Sequence, residues 1–383
     1  MNQEKNVIRT LIVEDSPVAQ QLLSRILASD PRIQVVGIAE DGKKALAAVE
    51  QLRPDVVTMD IHMPGLNGFE TTRRIMESTP VPIIIVSGSF SADHIEKGFR
   101  AMEAGALTIL RKPRGIGHPD HQNDARELIK TVVTMSEVKV IRRWPRHVHE
   151  EPFASAPMVV ARHEAPISLV AIGASTGGPA VLQKIFTALP KTFPVPIVVV
   201  QHMATGFMDC FVTWLGTSTG FPSSIAANGD LLAPGHAYFA PEHVHMLVRS
   251  DNRITLSNDD PDNGLRPSAN RLFHSVAEAY GPNAVGVLLT GMGRDGAEGL
   301  KRIKERGAVT VAQNQESSIV FGMPGEAVKL GAAEFILAPD RIAELLTQLA
   351  QPGKGERGTL CVDVIPDKCG GNYVQSYQEP VNK

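Results

Sequence analysis

Five short Val/Ile-rich runs, separated by longer stretches, crowd the first 125 residues and restrict what they can fold into. The runs are residues 7–15 (VIRTLIVED), 33–39 (IQVVGIA), 54–60 (PDVVTMD), 82–88 (PIIIVSG) and 106–112 (ALTILRK). Apolar side chains fill successive positions, so both faces of each strand would be apolar. That is the pattern of parallel strands covered on both sides, not of a half-solvated antiparallel sheet. Between the runs, residues 17–29 and 42–52 show helical spacing. The alternation predicts an α/β fold with a five-stranded, doubly wound parallel sheet over residues 5–125.

A second series begins near residue 166. Strands are expected at 167–173, 196–202, 284–290 and 308–313, and shorter strands and turns at 222–258. This predicts a second doubly wound α/β domain, residues 166–352, with a β-rich insertion. Residues 126–165 read as an interdomain linker, with a helix expected near 124–143. The histidines in or near it (His118, His121, His147, His149 and His163) fit no tight metal-ligand spacing. Residues 353–383 are polar and Gly-rich, and read as a flexible tail without assigned function.

Composition excludes several roles. A net charge of −3 and only 5% aromatic residues argue against a nucleic-acid surface. Cys210, Cys361 and Cys369 are too few, and odd in number, for a disulfide framework. The N-terminus is polar and no run approaches the ~18 apolar residues of a membrane span. The expected setting is reducing and cytoplasmic, without membrane insertion.

Polar groups gather at the ends of the first five runs. Run one ends in Glu14-Asp15, run three in Asp60, run four carries Ser87, and run five leads into Lys112-Pro113. Ligand sites of parallel sheets lie outside the carboxyl ends of their strands. Three carboxylates in one crevice need a cation or a proton to offset their repulsion. Hard oxygen ligands partly open to water suit Mg²⁺. The Ser87 hydroxyl and the Lys112 ammonium would hold an added phosphoryl group. Asp15-Ser16-Pro17 alone reads as a helix start, but the coordinated placement of the other groups outweighs that reading.

The second series carries a different chemistry. Strand 167–173 runs into Ala174-Ser175-Thr176-Gly177-Gly178, and Gly173 to Gly177 satisfies a G-x-S-x-G turn. Alone, this turn fits an esterase nucleophile and an anion-binding loop about equally. The next strand ends in His202, a core or capping residue if isolated and a general base if it faces Ser175. Asp295, in GMGRDG after strand 284–290, reads as a helix N-cap or as the acid that orients His202. Three such groups on one sheet edge favour the triad. No histidine follows His274. If Asp295 is the acid, the order must be Ser-His-Asp, unlike the Ser-acid-His order of lipase-type hydrolases.

Through Glu14, Asp15, MDIHMPGLNG around Asp60, Ser87 and Lys112-Pro113, residues 7–115 closely resemble the response-regulator receiver family. The resemblance implies a flavodoxin-like fold and phosphoryl transfer to Asp60 from a histidine kinase. It implies Mg²⁺ held by Glu14, Asp15, Asp60 and the backbone of His62, with Ser87 and Lys112 as switch residues. Ile109 occupies the position where the family often has an aromatic switch residue.

The second domain resembles the catalytic domain of the chemoreceptor protein-glutamate methylesterases, the CheB family. The matching stretches are IGASTGGP, VVQHM, LAPGHAYFAPEHVHM, RPSANRLFHSVA, VGVLLTGMGRDGAEGL and VAQNQESSIVFGMP. The resemblance implies Ser175 as nucleophile, His202 as general base and later acid, and Asp295 as orienting acid. It also implies the Met292 N–H as an oxyanion donor, Thr176 as support, and no cofactor for the esterase reaction. The implied activity is hydrolysis of glutamyl methyl esters on chemoreceptor cytoplasmic helices, releasing methanol. Some members also deamidate receptor glutamines. In this family the unphosphorylated receiver covers the active site. The chain departs from the pattern at Ala204, Asn270 and Gln313-Asn314. Two other functions stay compatible: a receiver-controlled binding module with a silent esterase domain, and the same esterase in a non-motility signalling array.

Overall fold

The computed structural model describes residues 7–88, 101–102, 104–138, 140 and 165–350. His147, His149 and His163, Cys361 and Cys369, and the expected tail at 353–383 lie outside these residues.

The first five runs form one parallel sheet, as expected. Its strands are β1 (Ile8–Val13), β2 (Ile33–Ala39), β3 (Val56–Met59), β4 (Ile83–Ser87) and β5 (Thr108–Arg111), in the order β2-β1-β3-β4-β5. All four pairings are parallel. Leu11, Ile12, Val56, Val57, Ile83, Ile84 and Ile85 are fully buried. Helices α1 (Pro17–Ala28), α2 (Gly42–Leu52) and α3 (Gly68–Ser78) each open on a side-chain cap, from Ser16, Asp41 and Asn67. Ser16 thus caps α1, and the Asp15 carboxylate is left for the strand-end cluster.

The helix expected at 124–143 begins earlier and ends earlier, as α4 (His121–Ser136). Arg114 pairs with Asp120 at 2.7 Å and Asp124 at 2.8 Å, which ties the helix start to the end of β5. Leu128, Val132 and Met135 are buried, and α4 packs on α1, β1, β3 and β4. It therefore covers the first sheet through residue 136, past residue 125, where a linker was expected to begin. His118 and His121 lie at its N-terminal end. His118 Nδ1 accepts from the Asp120 N–H, and His121 Nδ1 is 2.7 Å from the Arg114 carbonyl.

The second sheet has seven strands: β6 (Leu169–Ala174), β7 (Ile197–Gln201), β8 (Ser223–Ile225), β9 (Ala237–Phe239), and, after an antiparallel pair β10 (His245–Val248) and β11 (Ile254–Ser257) that stands apart, β12 (Ala284–Leu288), β13 (Val309–Gln313) and β14 (Phe335–Leu337). Its order is β14-β13-β12-β6-β7-β9-β8, parallel throughout. Helices α5 (Gly178–Ala188), α6 (Met208–Thr219), α7 (Ala269–Tyr280), α8 (Ala297–Glu305), α9 (Met323–Lys329) and α10 (Pro339–Leu349) accompany it. The β-rich insertion expected at 222–258 needs correction in its first half. There β8 and β9 extend the main sheet, and only β10–β11 form a separate ribbon, packed on α7. Phe186, Phe211, Phe221 and Phe239 cluster with ring centroids 5.1–6.3 Å apart. The scarce aromatics are thus spent on a core. Among the described residues, no helix is long and apolar enough to cross a membrane.

In the second sheet β6 is central, and the chain leaves it toward β7 on one side and returns to β12 on the other. That reversal opens a crevice at the carboxyl ends of β12, β6 and β7.

Candidate active site

Ser175 follows β6, His202 follows β7, and the loop carrying Asp295 follows β12, so one crevice receives all three. Main-chain bonds lock the strand ends together. The Ser175 N–H donates to the Thr290 carbonyl at 3.0 Å, and the His202 N–H to the Ala174 carbonyl at 2.9 Å. Gly177 makes the turn at φ +79°, and a Cβ there would lie 2.8 Å from Ile319.

His202 Nε2 lies 3.0 Å from Asp295 Oδ2. The acid faces Nε2, which leaves Nδ1 as the nitrogen available to act as base. Asp295 is 5% exposed, and its carboxylate is bound on both oxygens. Oδ1 accepts from Ser268 Oγ at 2.9 Å and the Asn270 N–H at 3.0 Å, and Oδ2 accepts from the Ala269 N–H at 2.7 Å. Burial pushes the Asp295 pKa up. The His202 contact and charge and these N–H donors more than offset burial and hold it below the usual carboxylate value. The donors come from the first turn of α7, where the helix dipole also favours negative charge. The alternative reading of Asp295, as the cap of the following helix, is replaced: Gly296, at φ +87°, starts α8, and Asp295 instead binds α7.

Ser175, Thr176, Gln201 and His202 line a cavity of about 40 Å³. Met102, Thr108 and Ile109 also line it, Thr108 and Ile109 from β5. Met292, expected as an oxyanion donor, does not line this cavity, and its side chain is 42% exposed. Its neighbour Gly291 presses on the nucleophile. A Cβ at Gly291 would lie 2.7 Å from Ser175 Cβ and 2.3 Å from Met323 Sδ. Gly291→Ala is expected to displace Ser175 and lower kcat about a hundredfold, since a shift of ~1 Å at a reacting atom costs that much. Steady-state rates of Gly291→Ala, with circular dichroism to check folding, measure it.

Several positioning residues escaped the sequence reading. Gln201 Nε2 donates to the carbonyls of Ser175 at 2.8 Å and His202 at 2.7 Å, bridging nucleophile and base. Glu242 Oε1 accepts from the Gly206 N–H at 2.7 Å, holding the loop after His202. The residues at which the chain departs from the family pattern are bonded or packed in the fold. Asn270 Oδ1 accepts from the Gly299 N–H at 2.9 Å. Gln313 Oε1 accepts from the Thr290 N–H at 2.8 Å, and Asn314 Oδ1 accepts from Ser317 Oγ. Ala204 is buried.

The first sheet brings its own cluster together. Carboxylate oxygens of Glu14, Asp15 and Asp60 lie within 4.8 Å of one another, with Glu14 and Asp60 buried and Asp15 exposed. Lys112 Nζ reaches Glu14 at 2.7 Å and Asp60 at 2.9 Å. Burial pushes the Glu14 carboxyl up; Lys112 pulls it back and Asp60 adds repulsion, leaving it above its usual value. Burial opposes the Lys112 charge, but its bonds to Glu14 and Asp60 outweigh that and raise its pKa. Among the described residues, one ammonium against three carboxylates leaves negative charge uncompensated, which fits a divalent cation. Ser87 Oγ is buried without a partner among the described residues, beside the crevice. His62 follows Asp60 by two positions and is half-buried.

A family model described as CheB methylesterase matches residues 170–346, and one described as response regulator receiver domain matches residues 10–118. A protein of Geobacter metallireducens named protein-glutamate methylesterase/protein-glutamine glutaminase 4 is 55% identical over 348 residues, which is 90% of this chain and 99% of its own. A protein of Nitrosospira multiformis named protein-glutamate methylesterase/protein-glutamine glutaminase is 51% identical over 354 residues, 92% of this chain and 100% of its own. The crystal structure of the Thermotoga maritima CheB methylesterase catalytic domain is 36% identical, covers 48% of this chain and 98% of its own, and has a TM-score of 0.47. With a receiver domain ahead of a methylesterase domain, matched along nine-tenths of its length, the chain belongs to the CheB methylesterase family.

Proposed function

We propose that this chain is a phosphorylation-activated serine esterase that hydrolyses glutamyl methyl esters on chemoreceptor cytoplasmic helices to glutamate and methanol. The observation that carries it is the meeting of Ser175, His202 and Asp295 at three adjacent strand ends, with His202 Nε2 3.0 Å from Asp295. Ser175 Oγ attacks the ester carbonyl while His202 Nδ1 takes its proton. Backbone N–H groups would meet the charge that develops on the carbonyl oxygen; the family resemblance assigns this task to that of Met292, which would have to turn toward Ser175 when the cavity opens. His202 then returns the proton to the methoxide leaving group, and methanol departs. Water, activated by the same imidazole, cleaves the glutamyl-serine ester. A glutamine side chain enters the same cycle with ammonia as leaving group, which accounts for deamidation.

Control comes from the first domain. Glu14, Asp15, Asp60 and the backbone of His62 would hold Mg²⁺, which offsets charge while a histidine kinase's phosphoryl group moves to Asp60. Ser87 and Lys112 would then bind the phosphoryl oxygens. The cavity at Ser175 is far below the few hundred Å³ of a ligand pocket, and Met102, Thr108 and Ile109 narrow it. Phosphorylation must therefore favour an arrangement in which they withdraw. Ile109 stands three residues before Lys112, so β5 joins the two sites directly. A cytoplasmic location fits these partners.

The test is methanol release from methylated receptors, with and without a small-molecule phosphodonor and Mg²⁺. Release should rise with the phosphodonor in the wild type, and Asp60→Asn should show no response to it. A response that survives Asp60→Asn would place the control elsewhere.

A further inference from the structure

Ser268 is fully buried, and its hydroxyl stands between two carboxylates. Its Oγ lies 2.9 Å from Asp295 Oδ1 and 3.0 Å from Asp262 Oδ2, and accepts from the Arg271 N–H at 3.3 Å. The last bond makes Ser268 the N-cap of α7, a structural task that needs only the oxygen. The proton is a separate matter. A serine has one, and here two acceptors are within reach.

Resting on the esterase reading above, we propose that Ser268 is a positioning residue of the reaction, acting through Asp295. The two backbone donors, Ala269 and Asn270, grip one oxygen each but lie on the same helix turn. The Ser268 hydroxyl adds a second donor to Oδ1, while Oδ2 accepts from Ala269 and lies 3.0 Å from His202 Nε2. With both oxygens held, the carboxylate is kept facing the imidazole as His202 becomes charged. The donor is a rotatable hydroxyl rather than a fixed amide, and Asp262 offers it a second acceptor. Asp262 is half-buried and belongs to the loop before α7.

The cap and the hydroxyl can be separated. Glycine is a good N-cap, losing only a few tenths of a kcal/mol against serine, yet it has no hydroxyl. Ser268→Gly should stay folded, with its thermal unfolding midpoint lowered by only a few degrees through the lost buried hydroxyl, while kcat for methanol release falls about ten- to a hundredfold. KM should stay within about twofold, since no substrate contact is removed. Ser268→Thr, which keeps the hydroxyl, should recover most of kcat. Asp262→Ala leaves the hydroxyl only Asp295 to bind and should keep kcat. Wild-type kcat in Ser268→Gly, no recovery in Ser268→Thr, or a tenfold loss in Asp262→Ala would each overturn the assignment. Because the wild type is assayed alongside, failure of the esterase reading itself shows separately, as no methanol release at all.

Discussion

Ser175→Ala is expected to release no methanol above background, a fall in kcat of about 10⁶-fold. The reason is chemical. Without Oγ no acyl-enzyme forms, and His202 has no proton to take. What remains is the oxyanion environment and substrate binding, worth about 10³–10⁴ over the uncatalysed reaction. The fold should tolerate the change. The backbone of Ser175, not its hydroxyl, makes the bonds to Thr290, Gly178 and Gln201. Alanine keeps the Cβ that packs beside Gly291. Receptor methanol release and covalent labelling by a fluorophosphonate, run together on wild type and Ser175→Ala, check this. Both signals should vanish in the variant. Equal release by the two proteins would mean that the nucleophile is another group, and would restore the anion-binding reading of the G-x-S-x-G turn.

The positions of Ser175, His202 and Asp60 were legible because they depend on strand ends, and strand ends follow from runs of apolar residues. A parallel sheet sends such ends to one edge whatever the details of packing. Asp295 was legible as a residue but ambiguous in role. A local reading sees an aspartate before a helix, whereas its partners lie 25–27 residues earlier, on α7. Ser268 and Gln201 were invisible for the same reason. The bond of Gln201 to Ser175 spans 26 residues, and no periodicity records it. Strands β8 and β9 have three residues each, too short for any period to separate them from loop. The start of α4 depended on Arg114 reaching Asp120 and Asp124, a tertiary anchor that helix propensity does not contain.

Ile109 shows how far a departure from pattern can be interpreted. The sequence reveals only that an aromatic is missing where the family often has one. The structure adds that Ile109 lies in the wall of the Ser175 cavity, on the strand leading to Lys112. An aliphatic side chain there has no ring to swing between exposed and buried positions. Coupling between Asp60 and Ser175 would then travel as a displacement of β5 itself. Both sites share a short, stiff element, so a small shift at Lys112 would change the space over the nucleophile.

Asp295→Asn should lower kcat about 10³–10⁴-fold while the protein still folds, because it removes the negative charge that faces His202 Nε2. The amide also conflicts with its surroundings. Both oxygens of Asp295 accept backbone N–H groups, from Asn270 on one side and Ala269 on the other. An amide nitrogen must therefore meet an N–H whichever way it is turned. Turned toward Ala269, it also faces His202 with a donor and drives the proton onto Nδ1, which destroys the base. Turned toward Asn270, it keeps the tautomer but offers no negative charge to the imidazolium. A pH signature accompanies the kinetic loss. Because folding holds the Asp295 pKa below 3.8, the ionised carboxylate contributes stability that is fully present above that pH. That contribution is lost as pH falls through the lowered folded value. Asp295→Asn should thus unfold at lower denaturant than the wild type at neutral pH, with the gap closing below about pH 4. Denaturant midpoints across pH, beside steady-state rates, measure both effects. An asparagine variant with wild-type kcat would show that His202 needs no anionic partner. A stability gap independent of pH would show that the carboxylate is not the charged anchor of α7.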